Sequence, residues 1–205
     1  AAVVAALSAI AQLKPKINVV GVIPATENLP SGSALKPGDV IKAMNGKTIE
    51  VKNTDAEGRL ILADALSYAV KHDLSPVLDL ATLTGACCVA LGTGYSGAFS
   101  NNQELMERVL KAAGRAGEKL WQLPLPEEYK EQNKSEIADI KNIGDKYGGA
   151  ITAALFLGEF VGSTPWVHLD IAGTACSSKE SGYVVKGATG VGVRTLVELA
   201  LSLAK

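Results

Sequence analysis

Apolar residues in this chain fall into short blocks separated by turn formers, and the period inside each block predicts an element. The opening residues Ala1, Ala2, Val3, Val4, Ala5, Ala6 and Leu7 begin an apolar run over 1–13. That run reads as a helix with neighbours on nearly every side. Ile17-Asn18-Val19-Val20-Gly21-Val22-Ile23 reads as a buried strand closed by Pro24. Two turn signals follow, Lys36-Pro37-Gly38-Asp39 and Asn45-Gly46, with β-type runs over 40–44 and 47–51. Asn-Gly between such runs predicts a hairpin, because both residues tolerate positive φ. Residues 53–58 form a polar connection to a helix over 60–70 with Leu62, Leu66 and Ala69 on one face.

Residues 76–80 predict a second buried strand, ending in the loop Thr82-Leu83-Thr84-Gly85. Open α/β sheets keep their ligands at such strand ends. A further strand is expected over 95–99, and Asn102 caps a helix over 103–113. Pro124 and Pro126 break the chain before a polar helical stretch over 127–133. An apolar helix follows Gly148-Gly149 over 150–161, and residues 166–171 form a third buried strand. A glycine-rich loop over 187–192 leads into a last helix ending near Ala204. Strands alternating with helices predict an α/β fold, a three-layer sandwich with a mostly parallel mixed sheet flanked by helices, plus a β-hairpin.

Composition narrows the class. At 205 residues and 47% hydrophobic content, the chain can bury one large core. Twenty basic residues against 21 acidic ones leave a net charge of −1, which points to no nucleic acid and no membrane surface as partner. Three cysteines, Cys87, Cys88 and Cys176, make an odd count and read as small core residues in a reducing compartment. No apolar run reaches the ~18 residues of a membrane span. No basic flank precedes the first helix, so no signal peptide is read. A chain that opens inside an apolar helix without an initiator methionine suggests missing upstream sequence.

The densest chemical signal is Asn53-Thr54-Asp55-Ala56-Glu57-Gly58-Arg59. In extended chain Asp55 and Glu57 would point to one side, as a carboxylate pair bridging two divalent ions does. Arg59 beside them could hold an anion. On spacing alone, a solvated helix start is the plainer account, since acidic residues favour the first turn. Asp79-Leu80-Ala81-Thr82-Leu83-Thr84-Gly85-Ala86 could bind a peptide backbone, or be an ordinary strand-to-helix turn. Gly187-Ala188-Thr189-Gly190-Val191-Gly192 lacks the spacing and the Lys-Ser/Thr pair of a phosphate loop and reads as close helix–strand packing. His72, at a helix end, and His168, inside an apolar strand, have no partners at metal-ligand spacing.

Taken together these segments resemble the leucyl aminopeptidase (cytosol aminopeptidase) family. The matching runs are Glu27-Asn28-Leu29-Pro30-Ser31-Gly32, Lys36-Pro37-Gly38-Asp39-Val40, residues 53–60 and 79–86, and Asp170-Ile171-Ala172-Gly173, in family order. The resemblance identifies 1–205 as part of an aminopeptidase catalytic domain, with the upstream part of that domain and the N-terminal domain absent. It implies a hydrolase that releases N-terminal leucine and other apolar residues from peptides, with two divalent ions, zinc or manganese. Asp55 and Glu57 match metal ligands, with Glu57 bridging both ions. Arg59 matches the arginine that holds a bicarbonate serving as general base. The Leu83 carbonyl and Gly85 N–H match backbone groups that hold substrate, and Asn53, Thr82, Ala172 and Ala175 fall near the pocket for the first side chain. The family's other metal ligands, a lysine and two aspartates, and its catalytic lysine lie upstream of Ala1, so the chain alone is expected to be inactive. A cytoplasmic homohexamer is implied for the full-length protein.

Two other readings compete. Residues 31–47 look like part of a PDZ peptide-binding module, which binds by strand addition. A non-catalytic assembly scaffold is the other.

Overall fold

The Asn45-Gly46 hairpin forms as its sequence predicts. In the computed structural model, which describes residues 1–204, β1 (Val40–Lys42) pairs antiparallel with β2 (Thr48–Glu50), Ile41 opposite Ile49. Gly46 takes φ +95°, the left-handed backbone such a turn needs. On its other edge β2 accepts a short parallel strand, β6 (Ile140–Lys141). Ile49 and Val51 are buried in the main core, so the hairpin is part of one body and not a separate PDZ-like module.

The central sheet has the order β3-β7-β4-β5, formed by β3 (Val77–Ala81), β7 (Trp166–Asp170), β4 (Ser96–Ser100) and β5 (Leu120–Gln122). Two of its three junctions are parallel, and β4 runs antiparallel to β7. Strand alternation divides its apolar residues between two layers. Ala98, Val167 and Leu169 face α4 (Gln103–Ala116) and α6 (Val193–Leu203), where Met106, Val109 and Leu199 complete the packing. Phe99 and Trp166 face the other layer, α2 (Glu57–Lys71), α3 (Gly85–Leu91) and α5 (Gly149–Gly158), through Leu60, Leu66, Cys87 and Phe156. Helix α1 (Ala2–Leu13) lies against α6. The three-layer α/β sandwich is therefore as expected. The polar stretch Glu127–Asn133 is 3-10 helical.

Between β3 and β7 a buried polar cluster replaces apolar packing. Asp79 accepts from Trp166 Nε1 at 2.7 Å and pairs with His168 Nδ1 at 2.6 Å. His168 thus works inside the sheet, and His72 caps α2 in the open.

Several expectations change in the structure, for different physical reasons. Residues 17–23 form no strand, and Val19, Val20 and Ile23 are 40%, 59% and 50% exposed. A strand needs an adjacent edge for its backbone groups, and no strand among the described residues pairs with this segment. It lies instead along α1, where a Cβ on Gly21 would overlap the Leu7 side chain. Of the two geometries read for Asp55 and Glu57, the helix start is the one found and the extended chain is not. Asp55 sits in a 3-10 turn, Thr54–Ala56, and Glu57 is the first residue of α2, because Asn53 caps the turn through a 2.9 Å bond from the Asp55 N–H. Cys176 is exposed in β8 (Cys176–Ser177), which pairs with β9 (Gly187–Ala188), and so is no core residue. The pattern also missed β5, β6 and α3.

The glycine loop before α6 is a packing device, as read. Gly192 has φ +87°, and a Cβ there would overlap the Leu80 side chain. The α6 N-terminus is already occupied by the buried Glu118 carboxylate, which accepts from Gly192 N, Thr195 N and Thr195 Oγ1.

Candidate active site

Parallel pairing of β3 with β7 puts Ala81 beside Asp170, so the loops that follow both strands leave from one edge of the sheet. The first carries Thr82, Leu83, Thr84 and Gly85, and the second Ala172 and Ala175. Thr82 and Gly85 are exposed, and Leu83, Ala172 and Ala175 half-buried. The start of α2 borders the first loop, since a Cβ on Gly58 would touch Leu83 Cδ1 at 3.8 Å. The structure thus gathers the 53–59 segment and the 82–85 and 172–175 loops at the strand ends, where α/β sheets place ligands.

At the start of α2, Asp55 is exposed, Glu57 half-buried and Arg59 buried. None of the ion pairs among the described residues uses Asp55 or Glu57. Arg59 donates from one terminal nitrogen to the Asn142 carbonyl at 2.7 Å. Its Nε is buried with no acceptor among the described residues. Burial pushes the guanidinium down to about 10, opposed by the charges of Asp170 and Glu57, so the group is still cationic at neutral pH. A buried cation with an unused donor is matched to a small anion. Two unpaired carboxylates suit hard or borderline divalent ions. Among the described residues, however, no group of three or more His, Cys, Asp or Glu side chains could hold a metal ion.

Two residues that sequence reasoning gave no role organise the site. Asn142, fully buried, accepts from Lys52 N at 2.8 Å and Asn53 N at 3.3 Å, and donates to the Asn53 carbonyl at 2.7 Å. It fixes the 52–53 backbone just before the carboxylates. Asp170, also fully buried, accepts from Leu83 N, Thr84 N, Ala172 N and the Thr84 hydroxyl. Asn28, from another of the matching runs, donates to the Thr54 carbonyl at 3.0 Å. Asp170 lay inside a matching run, whereas nothing in the pattern around Asn142 marks it.

Comparison with known proteins identifies the family and the fold. The model of the cytosol aminopeptidase family catalytic domain matches residues 1–197. A probable cytosol aminopeptidase of Alkaliphilus metalliredigens (strain QYMF) is 58% identical over 205 residues, all of this chain and 41% of that protein. The probable cytosol aminopeptidase of Koribacter versatilis (strain Ellin345) is 55% identical over 98% of the chain and 40% of its own length. The chain therefore spans about two fifths of the curated relatives it matches. Among solved structures, a mutant of tomato leucine aminopeptidase superposes with a TM-score of 0.90 at 48% identity, covering 98% of this chain and 39% of that one. The bottromycin maturation enzyme BotP in complex with Mn superposes with a TM-score of 0.96 at 42% identity, covering 100% and 46%.

Proposed function

We propose, from the premise that this chain belongs to the cytosol aminopeptidase family, that it forms part of the catalytic domain of a metal-dependent exopeptidase releasing N-terminal leucine and other apolar residues from peptides. What carries the reading is that Asp55 and Glu57, which make no ion pair among the described residues, stand four and two residues before the buried Arg59 at the start of α2, beside the 82–85 loop. Asp55 and Glu57 would serve as ligands to divalent ions, zinc or manganese. BotP was solved with Mn. Such ions supply Lewis acidity and a nucleophilic water at neutral pH. Arg59, with its unused Nε, would hold a bicarbonate able to act as general base. The Leu83 carbonyl and the Gly85 N–H take the substrate backbone. Gly85 opens α3, where helix geometry leaves its N–H without an intrahelical acceptor. Asn53, Thr82, Ala172 and Ala175 line the pocket for the first side chain, and two alanines leave room for a branched apolar one.

Two carboxylates do not fill the shells of a zinc pair, so the 205 residues alone are inactive and bind zinc weakly. The full-length protein works as a cytoplasmic homohexamer. No helix among the described residues is long and apolar enough to cross a membrane. The test is release of leucine from leucine amides by the full-length protein, with and without exhaustive chelation, beside calorimetric zinc titration of the 205-residue chain. Chelator-insensitive activity would sink the metal mechanism. Two tight zinc sites on the 205-residue chain would sink the account of its ligands.

A further inference from the structure

The Asp170 carboxylate is out of contact with solvent, and all four of its hydrogen bonds go to the two loops of the site. Oδ1 accepts from Leu83 N at 3.2 Å, Thr84 N at 3.4 Å and Ala172 N at 3.2 Å, and Oδ2 accepts from the Thr84 hydroxyl at 2.7 Å. The Thr84 oxygen in turn accepts from the Cys87 N–H at 3.0 Å, which caps α3. One buried anion therefore decides where the 82–85 loop sits, where α3 begins and where the 172 loop turns. A carboxylate in so dry a place is held only by such bonds.

We propose that Asp170, bonded to the Leu83 and Thr84 N–H groups and to the Thr84 hydroxyl, is the positioning residue that aims the Leu83 carbonyl and the Gly85 N–H, and that this link favours peptides over single-residue amides as substrates. The inference rests on the reading of Leu83 and Gly85 as substrate-binding groups given above. The two backbone groups lie two residues apart, one accepting and one donating. A peptide continues beyond the scissile bond and offers a further carbonyl, which a donor such as the Gly85 N–H can meet. A leucine anilide ends at the scissile nitrogen and has no such carbonyl. Misaiming the loop thus costs peptide substrates a contact that the anilide never makes. General loosening of the fold would penalise both alike.

The experiment uses the metal-loaded full-length protein, assayed on leucyl-glycyl-glycine and on leucine p-nitroanilide. The variants are Asp170→Asn, Thr84→Val, Thr84→Ser and the double Asp170→Asn/Thr84→Val. In Asp170→Asn and Thr84→Val, the ratio of kcat/KM for peptide over anilide falls about five- to tenfold, the scale of one net hydrogen bond. Thr84→Ser, which keeps the hydroxyl, holds the ratio within about twofold of the parent. The double variant falls no further than the worse single one, because both changes cut the same link. Hydrogen–deuterium exchange gives a readout apart from activity: the Leu83 and Thr84 amides exchange faster in Asp170→Asn and unchanged in Thr84→Ser. Should Asp170→Asn not fold, the Val and Ser variants at Thr84 carry the same comparison. Equal losses on both substrates, multiplying losses in the double variant, or no rescue by serine would overturn the inference while leaving the aminopeptidase reading intact. A parent protein with no chelator-sensitive leucine release would overturn that reading, and the inference with it.

Discussion

Replacing Asn142 with alanine strips the amide that fixes the backbone in front of the carboxylates. The side chain is fully buried, and its two short bonds, 2.8 Å from Lys52 N and 2.7 Å to the Asn53 carbonyl, tie β6 to the 52–53 segment. Each such bond is worth about 0.5–1.5 kcal/mol net, and a partner left unsatisfied in a dry place costs about 1–3 kcal/mol. Lys52 and Asn53 are both exposed, so water can reach part of what is released. The expected loss is therefore about 2–3 kcal/mol, below the sum of the full penalties. Arg59 is bonded to the Asn142 backbone carbonyl, not its side chain, so the guanidinium keeps its partner in the variant. The assay is urea denaturation of parent and variant, comparing midpoints at equal m. Asn45→Ala is the control, since its bond to Lys47 N lies in an exposed turn, and it should cost under about 0.5 kcal/mol. An Asn142→Ala midpoint indistinguishable from the control would refute the assignment of Asn142 as the clamp on this segment.

Other substitutions probe other parts of the argument. Arg59→Ala in the full-length enzyme should lower kcat far more than it raises KM, by about 1–4 kcal/mol of transition-state stabilisation; normal turnover with a raised KM contradicts the anion-holding role. Gly192→Ala should destabilise by about 1–3 kcal/mol, because the backbone has φ +87° and the new Cβ meets the Leu80 side chain; thermal melting at the parent temperature would contradict it. Burial raises the Cys87 thiol from 9.0 to about 11, whereas Cys176 is exposed. Iodoacetamide at pH 8 should therefore label Cys176 and spare Cys87, as peptide mapping would show. The same shift has a definite sign: between pH 9.0 and about 11 the unfolded chain gives up a proton that the native thiol keeps, so stability falls as pH rises. A denaturation midpoint that climbs over that interval in the parent relative to Cys87→Ala would contradict it.

Much of this protein follows from neighbours in the chain. The turn at Asn45-Gly46, the Asn102 cap of α4 and the buried run of β7 each depend on residues a few positions apart. Local backbone preference and apolar period therefore determine them. The order of the matching runs, and with it the family, was legible for the same reason, being a linear property of the chain. Asp55, Glu57 and Arg59 were legible as a cluster, and so was the helix start that acidic residues favour; the capping bond from Asp55 to Asn53 decided for it against the extended alternative. The tertiary structure alone decided the rest. Asn142 reaches its partners across 89 and 90 residues, and Asp170 reaches Leu83 and Thr84 across 87 and 86. Residues 17–23 have the composition of a strand, yet no strand among the described residues pairs with them. Hydrogen bonds between distant segments leave no period in the sequence, since either partner is an ordinary polar residue until the fold removes the water that would otherwise satisfy it.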